Sequence, residues 1–197
     1  MSNFSNFNSL MKQSWSGVAV LSIFYIVIVV ALSLMSPWFF SFNNAMNIGI
    51  NMSYIGLMAA AGTPLIIAGG LDLSVAAVAG LTGVLITIFF GWIDNVWLAV
   101  MLSVFVGAFI GAFNGFLATV LKFNPLIATL GTMSIVTGFS LVLTGGLTKS
   151  MMLPEFNYIG VGRILNVPIP LIIMLVVMFL LWILMSKTKF GRFLYAS

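Results

Sequence analysis

The sequence predicts an all-α fold: a polytopic transmembrane helix bundle of about six spans, broken or re-entrant in the region of its second and third helices, with the N-terminus cytoplasmic. Of its 197 residues, 62% are hydrophobic and only 5% charged, whereas a soluble domain carries roughly 25% charged residues. The apolar residues gather into runs of about the 20 residues that a spanning helix needs. The Lys and Arg residues then sort by side. With the N-terminus inside, Lys12, Lys122, Lys187, Lys189 and Arg192 face the cytoplasm and Lys149 and Arg163 face outward, the bias that orients membrane proteins.

The same composition excludes several function classes. The chain has no Cys and no His, so it has no thiolate nucleophile, disulfide framework or imidazole acid–base catalyst, and no ordinary zinc or haem site. Its acids, Asp72, Asp94 and Glu155, fall in three separate regions, which argues against a membrane enzyme. No GxxxxGK[ST] phosphate loop is present. No cofactor, metal or nucleic-acid partner is expected, and lipid is the expected surroundings.

The first span is expected at about 17–36, closed by Pro37. It is too long for a signal-peptide core and reads as a retained helix. Residues 1–16 precede it as a cytoplasmic segment, 17–186 form the membrane domain, and 187–197 form a cytoplasmic stub. The second span is expected at about 48–69, capped by Asn43 or Asn44 and interrupted at Gly62-Thr63-Pro64, because proline removes a helical N–H and crowds the preceding turn. The third runs over about 73–92, the fourth over 96–120, the fifth over 126–144, opened by Asn124 and Pro125, and the sixth over 168–186. The longest connector, 145–167, holds Lys149, Glu155 and Arg163 and lies outside.

Three clusters of polar and small residues interrupt these runs. In GTPLIIAGGLDLS, Asp72 is the single charge between Ile48 and Trp92. With Thr63, Pro64, Gly69, Gly70 and Ser74 it marks a broken-helix junction. Asp72 or Ser74 caps the third helix, or Asp72 lies on a polar route or a moving joint, since an ionisable residue within a membrane is a candidate for function. In GAFIGAFNG, Gly107, Gly111 and Gly115 recur every four residues, the spacing that lets two helices approach closely. Asn114 beside them either bonds across helices or lines a path, because an unpaired amide there is costly. In NPLIATLGTMSI, Thr129, Thr132 and Ser134 either bond back to their own helix or line a passage for a hydroxylated solute. Trp38, Trp92 and Trp97 fall near span ends, as interface anchors do.

Taken in order, SPWFFSFNNAMNI, GTPLIIAGGLDLSVAAVAGLTG and NPLIATLGTMSIVTGFSLVLTGG, with Asn114-Gly115 between them and TKFGRFLYA after the last span, resemble the membrane permease subunits of bacterial ATP-binding-cassette sugar importers. These are the ribose, arabinose, xylose and galactose type, with the autoinducer-2 permeases. The resemblance covers nearly the whole chain after about residue 17. It implies a pathway for a monosaccharide or related small polyol across the inner membrane, formed by two permease subunits, identical or different. A periplasmic sugar-binding protein delivers the solute and cytoplasmic ATP-binding cassette subunits hydrolyse ATP. It places GGLDLS in the bundle interior and the external connector where the binding protein docks. Family members continue past the point matching Tyr195-Ala196-Ser197, so the chain reads as truncated. The alternative is a non-transporting fragment that packs against a full-length permease.

Overall fold

The structure is a computed structural model that describes residues 2–148 and 154–196, with side chains over 17–148 and 156–196. Lys149, expected on the outer connector, lies outside the described residues, as do the side chains of Lys12 and Glu155. Eight helices and one small hairpin follow in order: α1 Ser2–Met35, α2 Phe42–Ile67, α3 Val75–Ile93, α4 Val96–Thr119, α5 Pro125–Thr144, α6 Pro154–Val161, β1 Arg163–Ile164, β2 Val167–Pro168, α7 Ile169–Lys187 and α8 Lys189–Ala196. Within the described residues six segments are long and apolar enough to cross a membrane: Gly17–Met35, α2, α3, α4, α5 and α7.

The chain divides into two units, residues 1–48 and 49–197. The first holds α1 and the opening turns of α2. Its cap differs from the expected one. Ser41 Oγ accepts the Asn44 N–H at 3.2 Å, and Asn44 Nδ2 donates to the Phe39 carbonyl at 2.8 Å. Neither Asn43 nor Asn44 starts the helix, which begins about two turns before the expected boundary because the Ser41 hydroxyl supplies the acceptor first.

In the second unit α2 runs unbroken through Pro64 to Ile67, which corrects the expected interruption at Gly62-Thr63-Pro64. One missing N–H does not end a helix whose other backbone bonds persist. The break lies one turn later. Gly69 adopts φ +76°, its N–H bonds the Ile66 carbonyl at 3.0 Å, and the Gly70 N–H bonds the Leu65 carbonyl at 2.9 Å. This paired termination consumes carbonyls left over at the helix end and needs glycine at the left-handed position. A Cβ on Gly70 would also sit 2.9 Å from Leu65 Cδ1.

Helices α3 and α4 form an antiparallel hairpin about Asp94, at φ 53°, and Asn95, whose side chain accepts the Leu98 N–H at 3.1 Å. Its register brings Thr82 against Gly107, where a Cβ would lie 3.0 Å from Thr82 Cγ2. Close approach therefore occurs at Gly107. Among the described residues a Cβ on Gly111 or Gly115 meets nothing within 4 Å, so the close approach found there is at Gly107. Helix α5 packs on the hairpin, with Leu81, Leu85 and Val136 as a buried apolar core bordered by Val106, Ile110 and Leu143. As expected, Asn124 caps α5, accepting the Leu126 N–H at 2.9 Å, with Pro125 at its first turn.

Part of the 145–167 connector lies within the described residues. It contains α6 and the β1–β2 hairpin, closed by Leu165 and Asn166 at φ 50° and 66°, the paired positive values of a tight two-residue turn. Tyr54 Oη donates to the Gly160 carbonyl at 3.1 Å, tying α6 to α2. The short helix α8 places Lys189 and Arg192 among Phe190, Phe193 and Tyr195 and packs its buried Gly191 against the last turn of α7.

Candidate functional site

The residues between α2 and α3 read Gly70-Leu71-Asp72-Leu73-Ser74. Leu71 and Leu73 are exposed, Asp72 is half-buried and Ser74 is buried. The backbone here is not a regular strand: Ser74 already has helical angles, φ −81° and ψ −12°, and a turn at Asp72 sets its side chain. The arrangement turns two leucines outward and two polar groups into the bundle.

There they meet α4 and α5. Asp72 Oδ1 accepts both the Ser74 N–H, at 2.7 Å, and the Ser74 hydroxyl, at 2.6 Å. Asn114 Nδ2 donates to Ser74 Oγ at 2.9 Å, and Thr132 Oγ1 donates to Asn114 Oδ1 at 2.6 Å. Four side chains from three segments form one continuous chain of hydrogen bonds. Ser74 is 1% and Asn114 4% exposed, a degree of burial at which each missing bond carries a full desolvation cost.

The geometry departs from simple capping. Ser74 stands at the N-cap of α3 but makes no side-chain cap bond. Its hydroxyl is taken by Asp72 and Asn114. Asp72 closes a local turn on the N–H two residues ahead, as Asx turns do, instead of reaching the first turn of α3.

Depth follows from helix length. Asn114 lies five residues before the end of α4 and Thr132 seven after the start of α5. At about 1.5 Å per residue the network sits roughly 8–10 Å inside the ends of both helices. The non-helical stretch 68–74 is thus drawn into the layer of the spans. Irregular backbone is stable at such depth only against protein or water.

The other candidate residues lie elsewhere. Thr129 is buried but bonds back to the Pro125 carbonyl at 2.8 Å, and Ser134 bonds back to Leu130. Thr63 bonds back to the Ala59 carbonyl at 2.8 Å. With Pro64 it lines a crevice of about 310 Å³ against Met178, Trp182 and Tyr195 of α7 and α8, apart from the network. Sequence reasoning missed a second cavity of about 570 Å³ between α3 and α5, lined by Gly80, Gly83, Thr137, Ser140, Thr144 and Thr148 among others. Its signal was legible in part, as hydroxyls at 137, 140 and 144 on one helical face. No group of His, Cys, Asp or Glu among the described residues could hold a metal.

The chain resembles known transport proteins along most of its length. It is 42% identical over 179 residues to the ribose import permease protein RbsC of Bacillus subtilis (strain 168), covering 89% of this chain and 55% of that protein. It is 33% identical over 178 residues to the L-arabinose transport system permease protein AraH of Escherichia coli (strain K12), covering 90% and 54%. It is 28% identical over 194 residues to the autoinducer 2 import system permease protein LsrD of Escherichia coli O9:H4 (strain HS), covering 92% and 57%. The chain thus spans about half the length of the curated relatives it matches. No solved structure matches it. Six spans and permease relatives make it a multi-pass membrane protein. With residues 44–197 matching the family model described as branched-chain amino acid transport system / permease component, the chain belongs to that family of permeases.

Proposed function

We propose that this chain is a permease component of an ATP-binding-cassette importer in the bacterial inner membrane, forming part of the pathway for a monosaccharide or related small polyol. The observation that carries this reading is the match to a ribose import permease over 89% of the chain, on a bundle whose polar side chains converge inside its spans. ATP hydrolysis falls to separate cytoplasmic cassette subunits, solute delivery to a periplasmic binding protein, and a second permease subunit completes the pathway. The Lys and Arg distribution supports a cytoplasmic N-terminus, which puts the inset 68–74 stretch on the cytoplasmic half. In this reading the Asp72–Ser74–Asn114–Thr132 network is the joint about which α3 moves against α4 and α5 as access alternates.

The test is solute uptake in membranes that contain the chain with its cassette subunits and binding protein, using radiolabelled D-ribose and L-arabinose. Uptake that depends on both ATP and the chain is expected; uptake indifferent to deletion of its gene would remove the reading. Within that assay Asp72→Ala is expected to lower the rate about tenfold, through loss of one or two hydrogen bonds worth about 1–1.5 kcal/mol together. Asp72→Asn keeps an acceptor oxygen and is expected to cost about threefold or less. Equal damage from both would mean that the charge, not the acceptor geometry, is required.

A second reading rests on Gly111 and Gly115, whose open faces leave room for close approach by another helix. In it the chain packs against a full-length permease without transporting. Co-purification with such a permease, without any change in uptake on deletion, is its expected signature.

A further inference from the structure

The cavity between α3 and α5 is separate from the hydrogen-bonded junction and has its own chemistry. Thr137, Ser140 and Thr144 lie at i, i+3 and i+7 on α5, so they share one face. Ser140 donates back to the Val136 carbonyl at 2.9 Å and Thr144 to the Leu141 carbonyl at 3.3 Å. Each hydroxyl oxygen therefore keeps lone pairs free to accept. Thr137 Oγ1 has no hydrogen-bond partner among the described residues, leaving one donor and two acceptors unused.

The opposite wall, on α3, is small and apolar, with Ala77 and Val84 beside two glycines, and Leu141 and Leu147 add apolar surface to the cleft. Gly80 and Gly83 line it, and a Cβ built on either meets nothing within 4 Å. At its far end the cavity reaches the Gly145-Gly146 turn, both glycines at positive φ, and Thr148. At its near end Ala77 lines it three residues after Ser74, so the junction lies about one helical turn beyond. A recess of about 570 Å³ falls within the usual range of small-molecule sites, about 300–1,000 Å³.

We propose that this cleft is a water-filled station for a polyhydroxylated solute, with the Asp72–Ser74–Asn114–Thr132 junction as its floor; the proposal deepens the importer reading and rests on it. The hydroxyls of a sugar both donate and accept, which matches a wall of acceptor-rich Ser and Thr with one unused donor. Its C–H faces fit the flat wall of Gly80, Gly83 and Ala77. An acyl chain or an apolar helix in the same space would leave the acceptor lone pairs of Thr137, Ser140 and Thr144 unused, even with each hydroxyl donating back to its own helix, whereas a hydroxylated guest donates to them.

The chain has no cysteine, so single cysteines report cleanly. Thr137→Cys, Ser140→Cys and, as a control on the opposite face of α5, Ile135→Cys (73% exposed) are made in the full chain and treated in membranes with a charged, membrane-impermeant methanethiosulfonate. Modification is expected at 137 and 140, at least about tenfold faster than at 135, and slowed about fivefold or more by D-ribose or L-arabinose. No modification at 137 and 140 would mean that a helix or lipid fills the cleft, and would overturn the proposal. Modification that neither sugar slows, or that is equal at 135, would overturn it as well. Wild-type uptake measured in the same membranes keeps the two readings apart: uptake with an unlabelled cleft leaves the importer standing and removes the station. As an independent arm, Gly83→Leu fills the cleft without meeting protein atoms at its Cβ, and is expected to reduce uptake tenfold or more at normal membrane abundance; wild-type uptake in that variant would also overturn the proposal.

Discussion

Replacing Asn114 with leucine is expected to produce the largest loss of stability of any single polar substitution in the chain. Asn114 is nearly fully buried and is the one side chain that holds both neighbours of the junction, donating to Ser74 Oγ at 2.9 Å and accepting from Thr132 Oγ1 at 2.6 Å. Leucine has similar bulk and no polar atoms, so both bonds vanish while the cavity stays filled. Thr132 can turn back to its own helix, which limits the damage on that side. Ser74 keeps its bond to Asp72 but loses its donor from α4. A side-chain hydrogen bond between membrane helices averages about 0.6 kcal/mol and reaches about 1.7, so the pair and its unmade remainder amount to roughly 1–3 kcal/mol. Thermal denaturation in detergent should show the loss. A cycle of Asn114→Ala with Thr132→Val should give a coupling of about 0.5–1.5 kcal/mol. Additivity within about 0.3 kcal/mol would show that the two residues do not act as a pair.

Substituting Gly191 with valine is expected to detach α8 from the end of α7. Gly191 is buried, and a Cβ there would run into the Met185 backbone carbonyl. A flexible side chain could move aside; a carbonyl within the last turns of α7 cannot move without breaking that helix. The link between the helices is otherwise light: Thr188 Oγ1 and the Thr188 carbonyl accept the Gly191 and Arg192 N–H groups at 3.4 Å each. Overpacking of this kind costs about 1–3 kcal/mol or more, enough to shift a short terminal helix toward its open form. Trypsin should then cut the purified protein after Lys189 and Arg192 about tenfold faster or more than wild type. Wild-type protection would show that α8 has room the structure denies it. Its basic residues beside exposed Phe190 and Phe193 make α8 an amphipathic helix of the kind that is stable at a membrane surface.

Much of the architecture was legible because the bilayer imposes a length and a composition. Span limits expected from apolar runs alone agree with α3, α4, α5 and α7 to within about two residues. The boundary of α2 moved because the hydroxyl of Ser41, well before the apolar run, caps earlier than the asparagines. Pro64 misled for a related reason: it removes a single donor, while the positive φ at Gly69 and the bonds back to Leu65 and Ile66 are what end the helix. Periodicity could have shown this, since Leu71-Asp72-Leu73-Ser74 alternates apolar and polar inside a region otherwise patterned as helix.

The glycines illustrate the other limit. Gly107, Gly111 and Gly115 look equivalent in spacing, yet a four-residue step drifts about 40° around a helix with each repeat. Only Gly107 therefore stays turned toward Thr82. Which of three similar small residues touches a neighbour is set by the direction from which the neighbour comes.

The sequence by itself determined six spans, the scarcity of charge, and the rule that follows from both: each polar side chain held within the spans must find a partner. It therefore named Asp72, Ser74, Asn114 and Thr132 singly. Tertiary structure alone decided that these four belong together. Ser74 and Asn114 are 40 residues apart, Asn114 and Thr132 18, and their meeting depends on the α3–α4 register, the tilt of α5 and the depth at which α3 begins. Those are properties of packed helices, where one residue of slip or a rotation of about 100° would give every hydroxyl a different neighbour while leaving the composition of each span unchanged.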